Sequence, residues 1–321
     1  MLGTFVVLYL FLGGCGAAAL FVTAVWSLLF HRTETRTFQQ SRAFWDLAGK
    51  LYLASFGLLA LSAFCLLLDL GSPHRFFLLF LRPTASLLSV GSFVLLAALL
   101  ASGCLAAVHA LGWPAPPWAR KGVEALCAVL ATVLMVYTGL YLAWMEAVPL
   151  WSNGALPALF ALSSLSSGMA AVLLAAPFVR DWALLSGWIG GLHRAHLVVL
   201  GLEFLALVVF LALAAINPFA GPGLAQLVSP DGQAPWFFAG FVLGGIIVPF
   251  AAETLRPFTG RVAPVAASEV LCLFGGLILR FCLVLAGSHW LGGYNASRCE
   301  TDAPDGRASR KAQESPWPCS R

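Results

Sequence analysis

The chain has 321 residues, of which 60% are hydrophobic and only 10% are charged, and its formal net charge is +4. Soluble domains contain roughly 45–50% apolar and ~25% charged residues, so this composition excludes a soluble globular fold. It predicts a multi-pass membrane protein, whose main interaction partner is the lipid bilayer. The small net charge carries no signal of nucleic-acid binding.

Eight apolar segments follow one another along the chain, and a helix needs ~20 such residues to cross the bilayer. The segments are uniformly apolar and lack the alternation of β-barrel strands, which predicts an all-α integral membrane bundle of eight transmembrane helices. The predicted helices cover residues 3–30, 48–68, 85–111, 122–145, 155–179, 193–216, 236–254 and 264–291.

The lysine and arginine residues of the short connections predict the topology, because cytoplasmic loops are enriched in them. The connections after odd-numbered segments, with the helix ends beside them, contain Arg32, Arg36, Arg42, Lys50, Arg120, Lys121, Arg180, Arg194, Arg256 and Arg261. The opposite short loops contain only Arg75 and Arg82. We therefore expect the first set in the cytoplasm and both termini outside. The tryptophans expected at the outer interface are Trp144, Trp151, Trp236 and Trp290.

Residues 294–321 are polar and of mixed charge, so we expect a disordered periplasmic tail after a membrane domain of residues 1–293. Cys299 and Cys319 lie in this tail, where they either form a disulfide or stay free. The chain has no C-x-x-C pair and no C-x-x-C-H motif. We therefore expect neither an iron–sulfur cluster nor a c-type haem in it.

Tyr137 lies about eight residues before the outer end of the fourth segment, on the order of 12 Å below that surface. A short connection makes the fifth helix its antiparallel neighbour, which brings Ser163, Ser166 and Ser167 to a similar depth. Hydroxyl groups in an apolar wall suit a ligand with an apolar ring and carbonyl oxygens. The alternative is ordinary packing, because serines allow close helix approach and bond their own backbone.

The loop that begins at Asp69 contains His74, Arg75 and Arg82, and its arginines oppose the topological preference. Two interpretations stay open. The arginines dock a partner or contact an anion, or they simply pair with Asp69.

Ionisable residues inside a span cost roughly 2.5–3.5 kcal/mol to insert, so each is a functional candidate. The candidates are His193, His196, Glu203, Glu253, Glu269 and Arg280. The first three share one face of the sixth helix, and the last two share one face of the eighth. The set either relays protons from the cytoplasm or forms buried structural pairs, such as Glu203 with Arg280.

A haem b would need facing histidines. His31 and His109 are predicted beside His193 and His196 at the inner helix ends, so a bis-histidine haem there is an alternative. None of these residues lies at mid-membrane, and we expect neither haem nor a metal site.

Several stretches carry a family resemblance. They are Tyr137-Thr-Gly-Leu-Tyr-Leu, Val148-Pro-Leu-Trp and Leu156-Pro-Ala-Leu-Phe-Ala-Leu-Ser-Ser-Leu-Ser-Ser-Gly, together with Asp69-Leu-Gly-Ser-Pro-His-Arg-Phe and Leu81-Arg-Pro. They resemble the NrfD/PsrC family of membrane subunits, and the likeness spans nearly the whole chain.

This resemblance implies a quinol-reactive anchor subunit of a bacterial or archaeal cytoplasmic membrane, with menaquinone or ubiquinone as its cofactor and no haem. It implies electron exchange with a periplasmic ferredoxin-like iron–sulfur subunit, which serves a molybdopterin or multihaem cytochrome catalytic subunit. The family tyrosine that contacts the quinone matches Tyr137. Some relatives place Asn or His on the first span near the quinone, where this chain offers only Thr4 and Tyr9.

The same interpretation assigns proton exchange at the pocket mouth to Asp69 or His74, and docking of the iron–sulfur partner to Arg75 and Arg82. Two other classes stay open. A purely structural anchor would bind no quinone. A secondary transporter would have paired broken helices, of which only Pro249 in the seventh span gives a sign.

Overall fold

The structure is a computed structural model that describes residues 4–33, 37–69, 87–110, 112–145, 148–179, 182–230, 232–259 and 262–301. For residues 88, 256–259, 262–265 and 288–301 it describes the backbone alone. Within these residues all regular structure is helical, and eight helical segments are long and apolar enough to cross a membrane. The predicted all-α bundle of eight spans is therefore confirmed, and the protein is a multi-pass integral membrane protein.

The elements follow the chain in a simple up-and-down order. They are α1 (Thr4–Arg32), α2 (Phe38–Asp69), α3 (Leu87–Ala110), α4 (Pro117–Ala143), α5 (Leu156–Ala175), two 3₁₀ turns (Ala176–Phe178 and Trp182–Leu185), α6 (Ser186–Ile216), the short α7 (Gly221–Val228), a π-helical segment (Pro235–Ile247) that continues into α8 (Val248–Thr259), and α9 (Val262–Thr301).

Several helices are longer than their apolar segments. The second helix begins at Phe38 and the sixth at Ser186, whereas the apolar pattern places these starts at residues 48 and 193. Polar helical turns project beyond the hydrocarbon layer, where hydropathy cannot detect them. The last helix continues to Thr301, so residues 294–301 of the expected disordered tail are helical. The rest of that tail lies outside the described residues.

Apart from Arg280, the lysine and arginine side chains with a described position gather at one end of the bundle, which we call the basic end. They are Arg32, Arg42, Lys50, Arg120, Lys121 and Arg194. The opposite end, which we call the tyrosine end, receives the start of α1 and the end of α9. That the basic end faces the cytoplasm stays a prediction of the positive-inside rule.

Small residues set the closest helix contacts. A Cβ atom added to Gly168 of α5 would overlap Ala18 of α1, and one added to Gly245 would overlap Gly275 of α9. Backbones that approach this closely maximise van der Waals contact, which is the main attraction between helices in lipid. As a result α1 packs against α2, α4 and α5, and α9 packs against α5 and the π-helical segment.

The seventh span is irregular over most of its length. The N–H group of Val248 bonds the carbonyl of Leu243, five residues back, as in a π-helix. Pro249 follows directly and has no N–H group, so it cannot supply the α-helical bond of that turn. Pro249 was predicted from the sequence as an interruption of this span, but the 13 residues of π-helical winding before it were not.

One interfacial prediction is wrong. The indole of Trp151 is fully buried, and its Nε1 donates a 2.8 Å hydrogen bond to the carbonyl of Leu283 on α9. Tryptophan favours the membrane interface because its N–H group finds a hydrogen-bond acceptor there. The Trp151 N–H has its acceptor inside the bundle, so the ring can be buried. Trp144 and Trp236 are exposed near the tyrosine end, as expected, and the side chain of Trp290 lies outside the described set.

Candidate functional site

Two tyrosines meet at the tyrosine end, Tyr9 from α1 and Tyr137 from α4. Both are buried, with 2% and 4% of their surface exposed. Their hydroxyl groups interact with each other as hydrogen-bonding partners, and neither hydroxyl has a partner on any other described residue. Only one of the two O–H groups can donate to the other, and the second buried O–H group, left without an acceptor, costs about 1–3 kcal/mol. A ligand with acceptor oxygens would remove that cost.

Glycine and serine residues position this tyrosine pair. A Cβ at Gly91 of α3 would overlap the Tyr137 ring, so the phenol lies directly on the α3 backbone. On the other side, the Ser62 hydroxyl of α2 donates a 3.2 Å hydrogen bond to the Tyr9 carbonyl. A Cβ at Gly139 would overlap Pro157 of α5, which confirms that the fourth and fifth helices are close neighbours. The two tyrosines thus lie among five packed helices, α1 to α5.

Further polar groups lie around the pair. The ring centroids of Tyr137 and Tyr141 are 6.1 Å apart, and Tyr141 interacts electrostatically with Asp69. Asp69 is exposed at the last residue of α2. That Asp69 exchanges protons stays a prediction. His74, Arg75 and Arg82 lie outside the described residues, so their assignments stay predictions.

Among the described residues, the predicted serines of α5 bond Arg280, Glu203 and their own helix, and not Tyr137. Ser163 and Ser164 accept hydrogen bonds from the Arg280 guanidinium at 3.3 and 2.6 Å, and Ser166 donates one of 2.6 Å to Glu203. Ser167 bonds the Ser163 carbonyl at 2.8 Å. Within the described part of the chain no hydrogen bond joins these serines to Tyr137. That they contact a quinone stays a prediction, since their described bonds serve the centre of the bundle.

Arg280 is fully buried at this centre. Its Nη1 also donates a 2.7 Å bond to the Gly276 carbonyl, while its guanidinium carbon lies 5.2 Å from the ring centre of Phe160 and 5.8 Å from that of Phe11. A Cβ at Gly14 would come within 3.1 Å of Nη2. Hydroxyl oxygens, a carbonyl and two aromatic faces thus replace the water that a cation loses in the membrane.

A chain of buried polar groups links this centre to the basic end. His193 bonds Glu253 through Nδ1. His196 Nδ1 lies 3.7 Å from Glu253 and 3.4 Å from Glu269, and its Nε2 lies 3.8 Å from the Cys272 sulfur. Glu203 interacts electrostatically with both His196 and Arg280. We call this set, from His193 to Arg280, the polar chain. All six residues predicted for a proton route belong to it.

The charges of the polar chain do not cancel without bound protons. Arginine stays protonated in proteins, so three ionised glutamates beside one guanidinium sum to −2. Neutrality therefore needs two further protons within this set of side chains. A direct Glu203–Arg280 ion pair is absent from the described contacts, because the serines of α5 lie between the two side chains.

The same geometry has a second chemical capacity. His193, Glu253 and Glu269 place one ligand atom each within 4.8 Å of one another. Imidazole and carboxylate are donors that several divalent metal ions accept. The sequence predicted no metal site, and this prediction stays open.

The other predicted groups are dispersed. His31 contacts Arg120, and His109 stacks on Trp45 with ring centroids 4.0 Å apart. The side chain of Cys299 and all of Cys319 lie outside the described residues.

Two buried polar residues were not predicted from the sequence. They are Glu124 and Tyr52, which are fully buried near the basic end of α4 and α2. Pro117 could have revealed Glu124, because proline favours the first helical turn and so starts the helix earlier.

Comparison with known proteins gives two findings. The family model described as "Polysulphide reductase, NrfD" matches residues 1–292. The protein named NrfD from Escherichia coli strain K12 is 33% identical over 172 residues, which is 52% of this chain and 53% of that relative. The chain thus spans about half the length of this curated relative.

Proposed function

The chain belongs to the NrfD family, and from that premise we propose that it is the quinone-reactive membrane anchor of a respiratory oxidoreductase complex. In this role it exchanges electrons between the membrane quinone pool and a peripheral iron–sulfur subunit. The observation that carries the proposal is the pair of buried tyrosine hydroxyls at Tyr9 and Tyr137, which have no hydrogen-bond partner beyond each other among the described residues.

The tyrosine pair fits a quinone head group. Quinone carbonyls are acceptors, and a phenol O–H is a donor that is costly to bury without one. The surrounding wall is apolar, as sites for ring-shaped ligands usually are, with few polar groups to fix orientation. Menaquinone or ubiquinone would supply the two-electron, two-proton chemistry that this chain's side chains lack.

The residues of the chain hold the quinone head group and orient it. Tyr137 donates a hydrogen bond towards one carbonyl position, and Tyr9 serves as the second hydroxyl. The backbone at Gly91 keeps the Tyr137 ring in place. Asp69, next to Tyr141, exchanges the proton with water at the rim, with His74 as the other candidate. Arg75 and Arg82 dock an iron–sulfur partner, and a molybdopterin or multihaem cytochrome subunit completes the complex.

The polar chain is the proton route of this proposal. His193 lies nearest the basic end, and Glu253, His196, Glu269 and Glu203 follow towards the centre. Support comes from the charge balance, since the group is neutral only when it holds protons. If the basic end faces the cytoplasm, protons enter from there.

A proton-coupled transporter is the second candidate. One observation favours it, namely the π-helical winding of the seventh span beside the charged residues, because transporters often build their sites on irregular helices. It predicts that the purified protein contains no stoichiometric quinone.

The test is the quinone content and quinol oxidation of the purified complex. The Tyr137→Phe variant removes one hydrogen bond of about 1–1.5 kcal/mol, so we expect about tenfold weaker quinone binding with assembly intact. The matched control is Thr138→Val, because the Thr138 hydroxyl is buried one residue further but bonds its own helix at Met135. Wild-type protein that yields no quinone, or equal affinity in the two variants, contradicts the proposal.

A further inference from the structure

A second buried polar group lies at the basic end, on helices that the polar chain does not include. It consists of Ser27 on α1, Tyr52 on α2, and Arg120 with Glu124 on α4, and we call it the Glu124 cluster. Glu124 and Tyr52 have 0% of their surface exposed. None of these residues has a role in the proposed quinone site, which lies at the other end of the same helices.

The Glu124 carboxylate is incompletely satisfied. Ser27 donates a 2.8 Å hydrogen bond to Oε1, and Arg120 Nε lies 3.8 Å from the same oxygen. Among the described residues Oε2 has no hydrogen-bond partner. The Tyr52 hydroxyl lies beside Glu124 and interacts with the Ser27 hydroxyl. An ionised carboxylate accepts hydrogen bonds only, whereas a protonated one can also donate. The phenol can donate to an ionised Oε2, and a protonated Oε2 can donate to the phenol oxygen, so Tyr52 can pair with Glu124 in either protonation state.

Arg120 forms a long ion pair with Glu124, 3.8 Å from Nε to Oε1, and contacts other groups as well. Its Nη2 is directed to His31 Nε2, and its guanidinium carbon lies 5.0 Å from the Trp45 ring centre. The guanidinium thus divides its interactions among an imidazole, an indole and one carboxylate oxygen. Proton uptake by Glu124 consequently leaves Arg120 with its other partners.

A cavity leads from the basic end towards this cluster. It has a volume of about 1020 Å³ and lies between α2, the end of α3 and the 3₁₀ turn Trp182–Leu185. Its lining includes Arg42, Asp46, Lys50 and His109. Charged groups and this volume admit many water molecules. We call this cavity the vestibule.

His109 stands between the vestibule and the Glu124 cluster. Its ring lies against Trp45 and has its centroid 5.2 Å from that of Tyr52. The His109 Nδ1 is 2.9 Å from the Leu105 carbonyl. A carbonyl only accepts, so Nδ1 carries the hydrogen and Nε2 remains the proton acceptor of the neutral ring. A Cβ at Gly49 would lie 3.0 Å from the His109 Cβ, so glycine lets the ring lie close to α2.

We propose that Glu124 is a second proton-exchange site, which takes up protons from the basic end through the vestibule, His109 and Tyr52. In the exchange one proton moves from water to the Glu124 carboxylate, an O–H bond forms there, and no electron moves. The ionisable groups that face or surround it are His31 of α1, Tyr52 of α2, and Arg120, Lys121 and Cys127 of α4.

The site is separate from the proposed quinone pocket. Glu124 and Tyr137 are 13 residues apart on α4, or roughly 20 Å at 1.5 Å per residue. Proton exchange at Glu124 therefore needs no quinone. Only its coupling to quinol oxidation would rest on the proposed function.

Infrared difference spectroscopy on the full-length protein in oriented liposomes tests the site. Acidifying the solution at the basic end should produce a protonated-carboxyl band that is absent from the Glu124→Gln variant. The control is Thr132→Val, a change on the exposed face of the same helix, which should keep the band. A band that is unchanged in Glu124→Gln overturns the proposal.

The path has its own test. His109→Phe keeps an aromatic ring against Trp45 but removes both nitrogens, so hydrogen–deuterium exchange of the Glu124 band should slow roughly a hundredfold, the scale of a positioned proton carrier. Equal exchange in wild type and His109→Phe overturns the path.

If Glu124→Gln does not fold, wild-type protein is treated with dicyclohexylcarbodiimide, which modifies protonated carboxyl groups in apolar surroundings. Peptide mapping without modified Glu124 then contradicts the proposal. All these readouts work on quinone-free protein, so they succeed or fail independently of the proposed electron transfer.

Discussion

The Ser166 hydroxyl donates a 2.6 Å hydrogen bond to the Glu203 carboxylate, which joins α5 to α6 in the middle of the bundle. Both residues are buried, and the same hydroxyl lies 3.2 Å from the Ser163 carbonyl. Glu203 thus owes its best hydrogen bond to a neutral neighbour and not to Arg280.

Ser166→Ala should lower the free energy of unfolding by about 1.5–3 kcal/mol, because it leaves a charged or polar carboxyl group without its donor. Thermal unfolding in detergent measures the change. Ser102→Ala is the control, since Ser102 is buried but bonds only Leu99 of its own helix. Equal melting temperatures for the two variants would show that the Ser166–Glu203 bond contributes nothing to stability.

Arg280→Gln should destabilise the protein by about 3–5 kcal/mol, the usual cost of leaving a buried charge without its counter-charge. The double variant Arg280→Gln with Glu203→Gln should lose less than the sum of the single losses, because the two residues interact electrostatically. Arg194→Gln, at an exposed position, should have little effect. Strictly additive losses would mean that Glu203 and Arg280 are not coupled.

Gly91→Ala should displace the Tyr137 phenol, because the added methyl group would overlap the ring. We expect a loss of bound quinone comparable to that in Tyr137→Phe, about tenfold in affinity. The measurement is quinone extracted per protein after purification. Gly57→Ala is the matched change, since a Cβ there meets no atom within 4 Å. Quinone retention in Gly91→Ala would place the ligand elsewhere.

Gly245→Val should separate the seventh span from α9, because even a Cβ would lie 2.8 Å from the Gly275 Cα. Overpacking of this kind costs about 1–3 kcal/mol. Limited proteolysis and thermal unfolding would report the loss. The comparison is Gly201→Val on α6, where the nearest atom to an added Cβ is Phe250 at 4.0 Å. A stable Gly245→Val variant would argue against this close helix contact.

The number of spans could be predicted because each is uniformly apolar along its length. The helix ends could not, since the polar turns from Phe38 onward lie outside the apolar segments. The π-helical winding was also hidden. It depends on Pro249 together with the contact between Gly245 and Gly275, residues that are 30 positions apart.

The candidate site also contains residues that the sequence could predict and residues that it could not. Tyr137 stands out in the sequence as a polar group within a span, and the structure places Tyr9 beside it. The direction of the serine hydroxyls depends on the rotation of α5 about its axis, which the uniform sequence of that helix does not encode. Glu124 was overlooked because the predicted helix began at residue 122. The actual start at Pro117 carries it two turns inside.

The polar chain runs inward from the basic end and ends near the centre of the bundle, so charge stored there feels the membrane voltage. From His193 to Glu203 it climbs ten residues of α6, or roughly 15 Å of the ~30 Å hydrocarbon layer. A full crossing against 100 mV changes the energy of a unit charge by ~2.3 kcal/mol. If the polar chain is the proton route proposed above, loading Glu203 involves about half of that. In an energised cell, the occupancy of this carboxyl group would follow the transmembrane potential as well as the proton concentration.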